Sequence, residues 1–311
     1  MNPIVIGVEK LKKLIFGILL VFVLCSTLVF SGFVEARVKN KTWVVNLNGT
    51  GDFTTIQAAL NAANSGDKIT VMNGVYYEHL VISKTVTLKG ENKLLTIIDG
   101  GGVAPASTIV IEANNVVIKG FTIQNAMSGG RAIWEDGFNG ATISNNIITN
   151  NGDGIRILYS HGNTISNNVL KNNPYTALGF DASYSNTVTG NTISNNYIGV
   201  GAGIPSYNNV FSGNVITQNS YGFLLAMYNS KFFHNNIIGN GVQAAFYGVY
   251  VNTWNNGYPS GGNYWSNYAG VDNYRGATQN KRGSDGIGDT PYVIDAQNKD
   301  SFPLMTPLKL S

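Results

Sequence analysis

A hexapeptide that recurs five times constrains this chain more than any other feature. ATISNN (141–146), NTISNN (163–168), NTVTGN (186–191), NVFSGN (209–214) and KFFHNN (231–236) end on Asn146, Asn168, Asn191, Asn214 and Asn236, at spacings of 22, 23, 23 and 22. Four residues further on stand Asn150, Asn172, Asn195, Gln218 and Asn240. A repeat of this kind is one structural unit that buries its apolar face only by stacking on its neighbours. It is too short for ankyrin or tetratricopeptide units, and no apolar stripe of period 3.6 runs through it. The Leu-x-x-Leu-x-Leu frame of leucine-rich repeats is absent. The pattern predicts an all-β fold: a right-handed parallel β-helix, one chain wound into coils of about 22–23 residues.

Within the repeat, Ile143, Ile165, Val188, Phe211 and Phe233 form one predicted interior column, and Ile148, Leu170, Ile193, Ile216 and Ile238 a second. β-Branched and aromatic side chains suit a pleated, buried surface. Asn between the columns tolerates the left-handed conformation of a sharp turn. Stacked Asn side chains can also hydrogen-bond from coil to coil. Asn146, Asn168, Asn191, Asn214 and Asn236 are therefore the predicted ladder. A solenoid's ends need covering. Residues 52–66 (DFTTIQAALNAANSG) carry the one good helix pattern. Thr54 and Gln57 read as a capping box and Gly66 as the stop. Ile56, Ala59, Leu60 and Ala63 form an apolar face expected to lie over the first coil. Strands are expected near 69–72, 80–82, 85–89, 96–98, 108–112 and 116–123. The plan is an N-terminal cap over 37–66, coils over 67–252 and an irregular, aromatic C-terminal cap over 253–311.

The first 36 residues stand apart. Lys10, Lys12 and Lys13 precede an apolar run from Leu14 to Val34, and a small-residue site follows at Ala36. This is the pattern of a signal peptide or, uncut, of an N-terminal membrane anchor. The protein is expected to be secreted or held at the cell surface, with this segment as its only membrane contact. Cys25, the only cysteine, lies inside it, so the mature chain has no disulfide. Charged residues make up 12% of the chain and the net charge is +3. With no Lys/Arg-rich stretch, this argues against nucleic acid as a partner. Apolar residues at 43%, in short regular runs, argue against disorder.

Two blocks carry a resemblance. GDFTTIQAAL (51–60), GDKITV (66–71) and NGVYYE (73–78) resemble the entrance to β-helices of the NosD type, and GGNYWSNY (261–268) and GSDGIGDTPY (283–292) resemble their exit. With the coils between, the resemblance to this family, also described as the carbohydrate-binding and sugar-hydrolase (CASH) domain, spans nearly the whole mature chain. It implies the β-helix fold. It leaves activity open, because that fold hosts binders, lyases, hydrolases, epimerases and a copper-enzyme maturation factor. GVYYE (74–78) is also similar to a Gly-x-Tyr-x-Glu segment of pectin methylesterase. That enzyme's Gly-x-x-Asp-Phe-x-Phe-Gly and Arg-Pro-Trp stretches are absent, so esterase activity is not expected and Glu78 reads as structural.

Copper, implied by the NosD resemblance, asks for His, Cys and Met ligands close together. The repeat puts His161 in a turn and His234 on the outward column of Ser144, Ser166, Thr189 and Ser212, three coils and about 15 Å away. Copper is therefore disfavoured. Asp285 and Asp289 sit in a Gly-spaced acidic loop of the kind that holds calcium, the one cofactor the sequence admits; a rigid turn is the plainer reading. Asp153, Arg156 and His161 share a coil, Asp181 lies on the next, and Glu135 and Asp136 lie on the previous one. There alone could acid, base and cation converge, although scattered solvent-facing charges would look the same. Tyr175, Tyr197 and Tyr221 recur along one line, and Tyr184 and Tyr207 along another that passes through His161. Such rows could stack on successive sugars or simply pack the turns. The function expected is binding of a polysaccharide or cell-surface glycan, with weak catalysis or none. The alternatives are a polysaccharide lyase, hydrolase or epimerase built on Asp153, Arg156, His161 and Asp181, a structural surface or adhesion protein, and a copper-enzyme accessory protein.

Overall fold

The computed structural model describes residues 40–104 and 106–309, together with Gly7, Lys12 and Lys13. The expected leader over 1–36, Cys25 included, otherwise lies outside the described residues. No helix among the described residues is long and apolar enough to cross a membrane.

From Asn40 the chain forms one unit, a right-handed parallel β-helix. Each coil gives one strand to each of three sheets. Sheet A has nine strands, from Thr42–Val45 to Lys231–Phe233; sheet B has nine, from Gly74–Tyr77 to Tyr264–Trp265; sheet C has eight, from Leu80–Ile82 to Val242–Phe246. Strands stack in parallel register, Ile143 on Ile165 and Ile148 on Leu170. These columns are the fully buried core. Gly74–Tyr77 was not expected as a strand, but it opens sheet B and buries Tyr76.

The last coil departs from the expected register. Phe211 pairs with Phe232, and Ile216 with Ile237, so Phe233 and Ile238 face outward and are half-buried. This coil is one residue shorter than the sequence alignment assumes. Doubled Phe, Asn and Ile in KFFHNNII (231–238) make the two registers indistinguishable by eye. His234, with φ of 57°, takes the left-handed corner position of Asn145 and Asn167, not the Ser column.

The corner divides the work between two neighbouring residues. Asn145 and Asn167 adopt positive φ, and the residues after them form the ladder. The Nδ2 of Asn146, Asn168, Asn191 and Asn214 donates to the Oδ1 of Asn168, Asn191, Asn214 and Asn235 at 2.9–3.1 Å. The fifth rung is Asn235, not Asn236, and Asn263 continues the ladder. Asn236 instead bonds the Leu308 backbone. A second ladder, Asn151–Asn173–Asn196–Asn219–Asn240, runs up the next corner. A third runs through Asn163, Asn186 and Asn209, and then through Ser230, Asn252 and Asn298. Most of the buried corner amides are thereby satisfied from within the stack; the Nδ2 of Asn163, where the third ladder begins, is buried without a partner.

Both ends are closed. The helix α1, Ile56–Ala62, buries Ile56, Ala59 and Leu60. Its N-cap residue is Thr55, which makes no side-chain bond, so the expected Thr54–Gln57 capping box does not form. Glu78 of the first coil replaces it: its two oxygens accept the amides of Ile56 and Gln57 at 2.8 and 2.9 Å. Gln57 is thus free to bond both the N–H and the C=O of Val81, closing the open edge of sheet C as a strand would. At the far end Trp254 stacks on Phe232 and Tyr292 on Trp265, each at 4.2 Å. Buried Asp300 accepts the Trp265 Nε1 and Asn263 amide protons, and burial pushes its carboxyl up to about 6.

Candidate functional site

Sheet C has the longest strands, and its outer face gathers the chemistry. One outward column runs Trp134, Arg156, Gly179, Gly201, Leu224. At the two glycines the column loses its side chains, and at Gly201 a shallow trough of about 90 Å³ opens, lined by Arg156, Thr176, Ile198, Gly201, Leu224 and Tyr247 among others. A Cβ on Gly179 would stand 2.7 Å from Arg156 Cδ, so this glycine makes room for the arginine as well.

Arg156 lies across the coils. Its Nη2 pairs with Asp181 Oδ2, and its Nη1 stands 3.9 Å from Asp153 Oδ2. Asp181 is buried, and its Oδ1 accepts the amides of Gly203 and Ile204 at 2.9 and 3.0 Å. Asp153 Oδ1 accepts the Thr176 amide at 2.9 Å. On the preceding coil the Arg131 guanidinium lies 4.2 Å from the Trp134 ring centre. Both Asp181 oxygens are engaged, so the cluster is a fixed charged clamp with aimed donors rather than a free acid–base pair.

Three of the four expected charged residues therefore converge, and His161 does not join them. Its ring stacks on Tyr184 at 4.7 Å. From there Tyr184, Tyr207, Tyr228 and Tyr250 continue a face-to-face column at 4.9, 5.3 and 6.4 Å. The faces of Tyr184 and Tyr207 are covered by their neighbours in the column, leaving ring edges to meet a partner. Tyr175 and Tyr197 are different. Each is 51% exposed and stands just before the paired Thr176 and Ile198, at the margin of the sheet C face. Tyr221 pairs with Ile198, one place further in, and meets Tyr197 edge to face at 5.7 Å. The row is stepped, not flat.

Glu135 turns inward, away from this face. It takes the interior position between Ile111 and Ile157, is fully buried, and neither oxygen has a hydrogen-bond partner. Burial alone pushes its carboxyl up to about 8. Asp136, next to it, is exposed. In the C-terminal cap Asp289 accepts the amides of Asn273 and Tyr274, and Asp285 those of Gly276 and Ile287. Asp272 holds Asp285 and Gly286 in the same way. Here the carboxylates tie one loop to another.

Comparison with known proteins gives this architecture a family. The model of the family described as periplasmic copper-binding protein (NosD) matches residues 60–270. The chain belongs to the NosD family. Over 109 residues it is 38% identical to a cell surface glycoprotein of Methanothermus fervidus, covering 34% of this chain and 17% of that protein. Over 110 residues it is 30% identical to the probable pectinesterase 67 of Arabidopsis thaliana, covering 32% of each. The chain thus spans a third or less of these relatives. Among solved structures, XylC in complex with xylose superposes with a TM-score of 0.52 at 12% identity, covering 69% of this chain and 65% of that one. The pectin methylesterase PemA of Erwinia chrysanthemi gives 0.46 at 13%, covering 80% and 94%. The likeness to XylC shows the fold alone.

The histidines of this NosD-family chain do not fit the copper of the family description. His79 Nδ1 bonds the Ser107 carbonyl, His161 stacks in the tyrosine column, and His234 Nε2 bonds the Ser260 carbonyl. They sit on coils three apart, about 14 Å at the usual strand spacing. Among the described residues no three His, Cys, Asp or Glu gather as a metal site.

Proposed function

We propose that this NosD-family protein is extracytoplasmic and binds a polysaccharide or cell-surface glycan along the outer face of sheet C. The observation that carries the reading is the glycine trough, with a fixed charged clamp on one side and exposed tyrosines at the margin of the same sheet face. A sugar presents an apolar face and a ring of hydroxyls. Tyr175 and Tyr197 offer ring surface to the first, while Arg156 and the trough's backbone offer partners to the second. The trough is open and small, which suits a chain laid across the coils better than an enclosed monosaccharide. The leader pattern and the surface-glycoprotein relative support export. Binding has more support than turnover, because Asp153 and Asp181 are already engaged by Arg156 and by backbone amides. A glycan array, with turnover assays on the retained ligands, tests this. The expected result is retention of one glycan class with no release of product. Product release at a rate abolished by Asp181→Asn would replace the binding reading with a catalytic one.

A further inference from the structure

Lysines that are far apart in sequence meet on sheet A. Lys68, Lys89 and Lys119 hold outward, half-buried positions on three successive strands, and Lys89 pairs directly with Lys119. Like charges opposite each other on neighbouring strands repel, at about 4.8 Å between strands. A fourth ammonium, on Lys93, reaches Asn145 Oδ1, and the carbonyl of Asn145 accepts the amide of the residue after Lys119.

None of these lysines has an ion-pair partner among the described residues. Arg156, on sheet C, makes both ion pairs found among the described residues. No strand of sheet A carries an acid. The nearby acids are committed to the backbone: Asp67 to the amides of Lys41 and Asn64, Glu78 to the helix, Glu91 to the Asn73 amide. The same two outward columns then continue as hydroxyls, through Thr142 and Thr164 on one side and Ser144 and Ser166 on the other.

We propose that the outer face of sheet A binds an acidic polysaccharide laid along the solenoid axis. Its carboxylates or sulfates sit on Lys68, Lys89, Lys93 and Lys119, and its hydroxyls meet the Thr/Ser columns. A polyanion is the occupant that relieves a paired row of cations with no ion-pair partner among the described residues. A glycan fits better than single-stranded nucleic acid, because the basic part of this face has no outward aromatic ring on which bases could stack. The site is separate from the sheet C face, and either reading stands without the other.

The test is binding of polygalacturonate, a neutral glucan and oligothymidylate to the purified protein, at two salt concentrations, for the parent and for the double variant Lys89→Gln, Lys119→Gln. Polygalacturonate is expected to bind, to weaken as salt rises, and to lose about tenfold or more in the double variant. The melting midpoint should hold or rise, since a repulsive pair has been removed. Equal polygalacturonate binding by parent and double variant would overturn the proposal. So would equal affinity for the neutral glucan, or tighter binding of oligothymidylate than of polygalacturonate. Array ligands that occupy the sheet C face are read on the same double variant, so a failure of one face shows separately from a failure of the other.

Discussion

Replacing Glu135 by Met is expected to stabilise the protein, and to do so far more at pH 8 than at pH 4. In the folded chain the carboxyl titrates near 8, against 4.5 for an ordinary glutamate. Between those values the unfolded chain releases a proton that the folded chain keeps, so folding stability falls as pH rises. The loss from pH 4 to pH 8 is about 4 kcal/mol at 1.4 kcal/mol per unit. Met has nearly the same shape and no charge to bury. Glu135→Met should remove this part of the slope, and it should also remove the cost of an unpartnered polar group at every pH. Asp300, also raised by burial, contributes in the same direction and is common to both proteins. Urea unfolding at pH 4, 6 and 8 measures the difference. Parallel stability curves for parent and variant would mean that Glu135 has a partner or reaches solvent.

The second large effect concerns the ladders. Asn191 is 1% exposed. Its Oδ1 accepts both the backbone and side-chain N–H of Asn168, and its Nδ2 donates to Ile165 and Asn214. Alanine there orphans several buried groups at once and should cost about 3–5 kcal/mol. Asn195, exposed and at φ of 57°, is the control. Alanine at that position meets only the left-handed penalty, about 1–2 kcal/mol. Equal losses at the two positions would mean that turn conformation, not the ladder, is what asparagine supplies.

The coil architecture was legible because a fixed period exposes its columns without any knowledge of contacts. The last coil was not, because KFFHNNII reads equally well in two registers one residue apart. The second and third ladders were not read: at the second corner the recurring Asn150, Asn172 and Asn195 drew attention, and these are the turn residues, while the ladder runs on the residues after them. Recurrence alone did not say which of two adjacent residues turns and which bonds. The helix cap was hidden because Glu78 reaches it from another coil, beyond any local motif. Strict alternation along Arg131–Asp136 puts Glu135 on the same face as Ile133, so its burial could have been read. The eye reads a run of charged residues as surface. At the candidate site, the coil count brought Asp153, Arg156 and Asp181 together. It could not show that His161 belongs to a different corner, nor that Gly201 opens a trough beside Arg156, because an outward glycine leaves no pattern.

The most direct test of glycan binding at sheet C is a calorimetric titration of the array-selected glycan into the parent protein and Tyr197→Ala, with the melting midpoint of each. Tyr197 is half exposed and touches Tyr221 by an edge contact. Its loss should therefore weaken binding about tenfold and leave the midpoint nearly unchanged. Unchanged affinity together with a lowered midpoint would contradict the account, and would make the tyrosine row part of the packing of a rigid surface spacer.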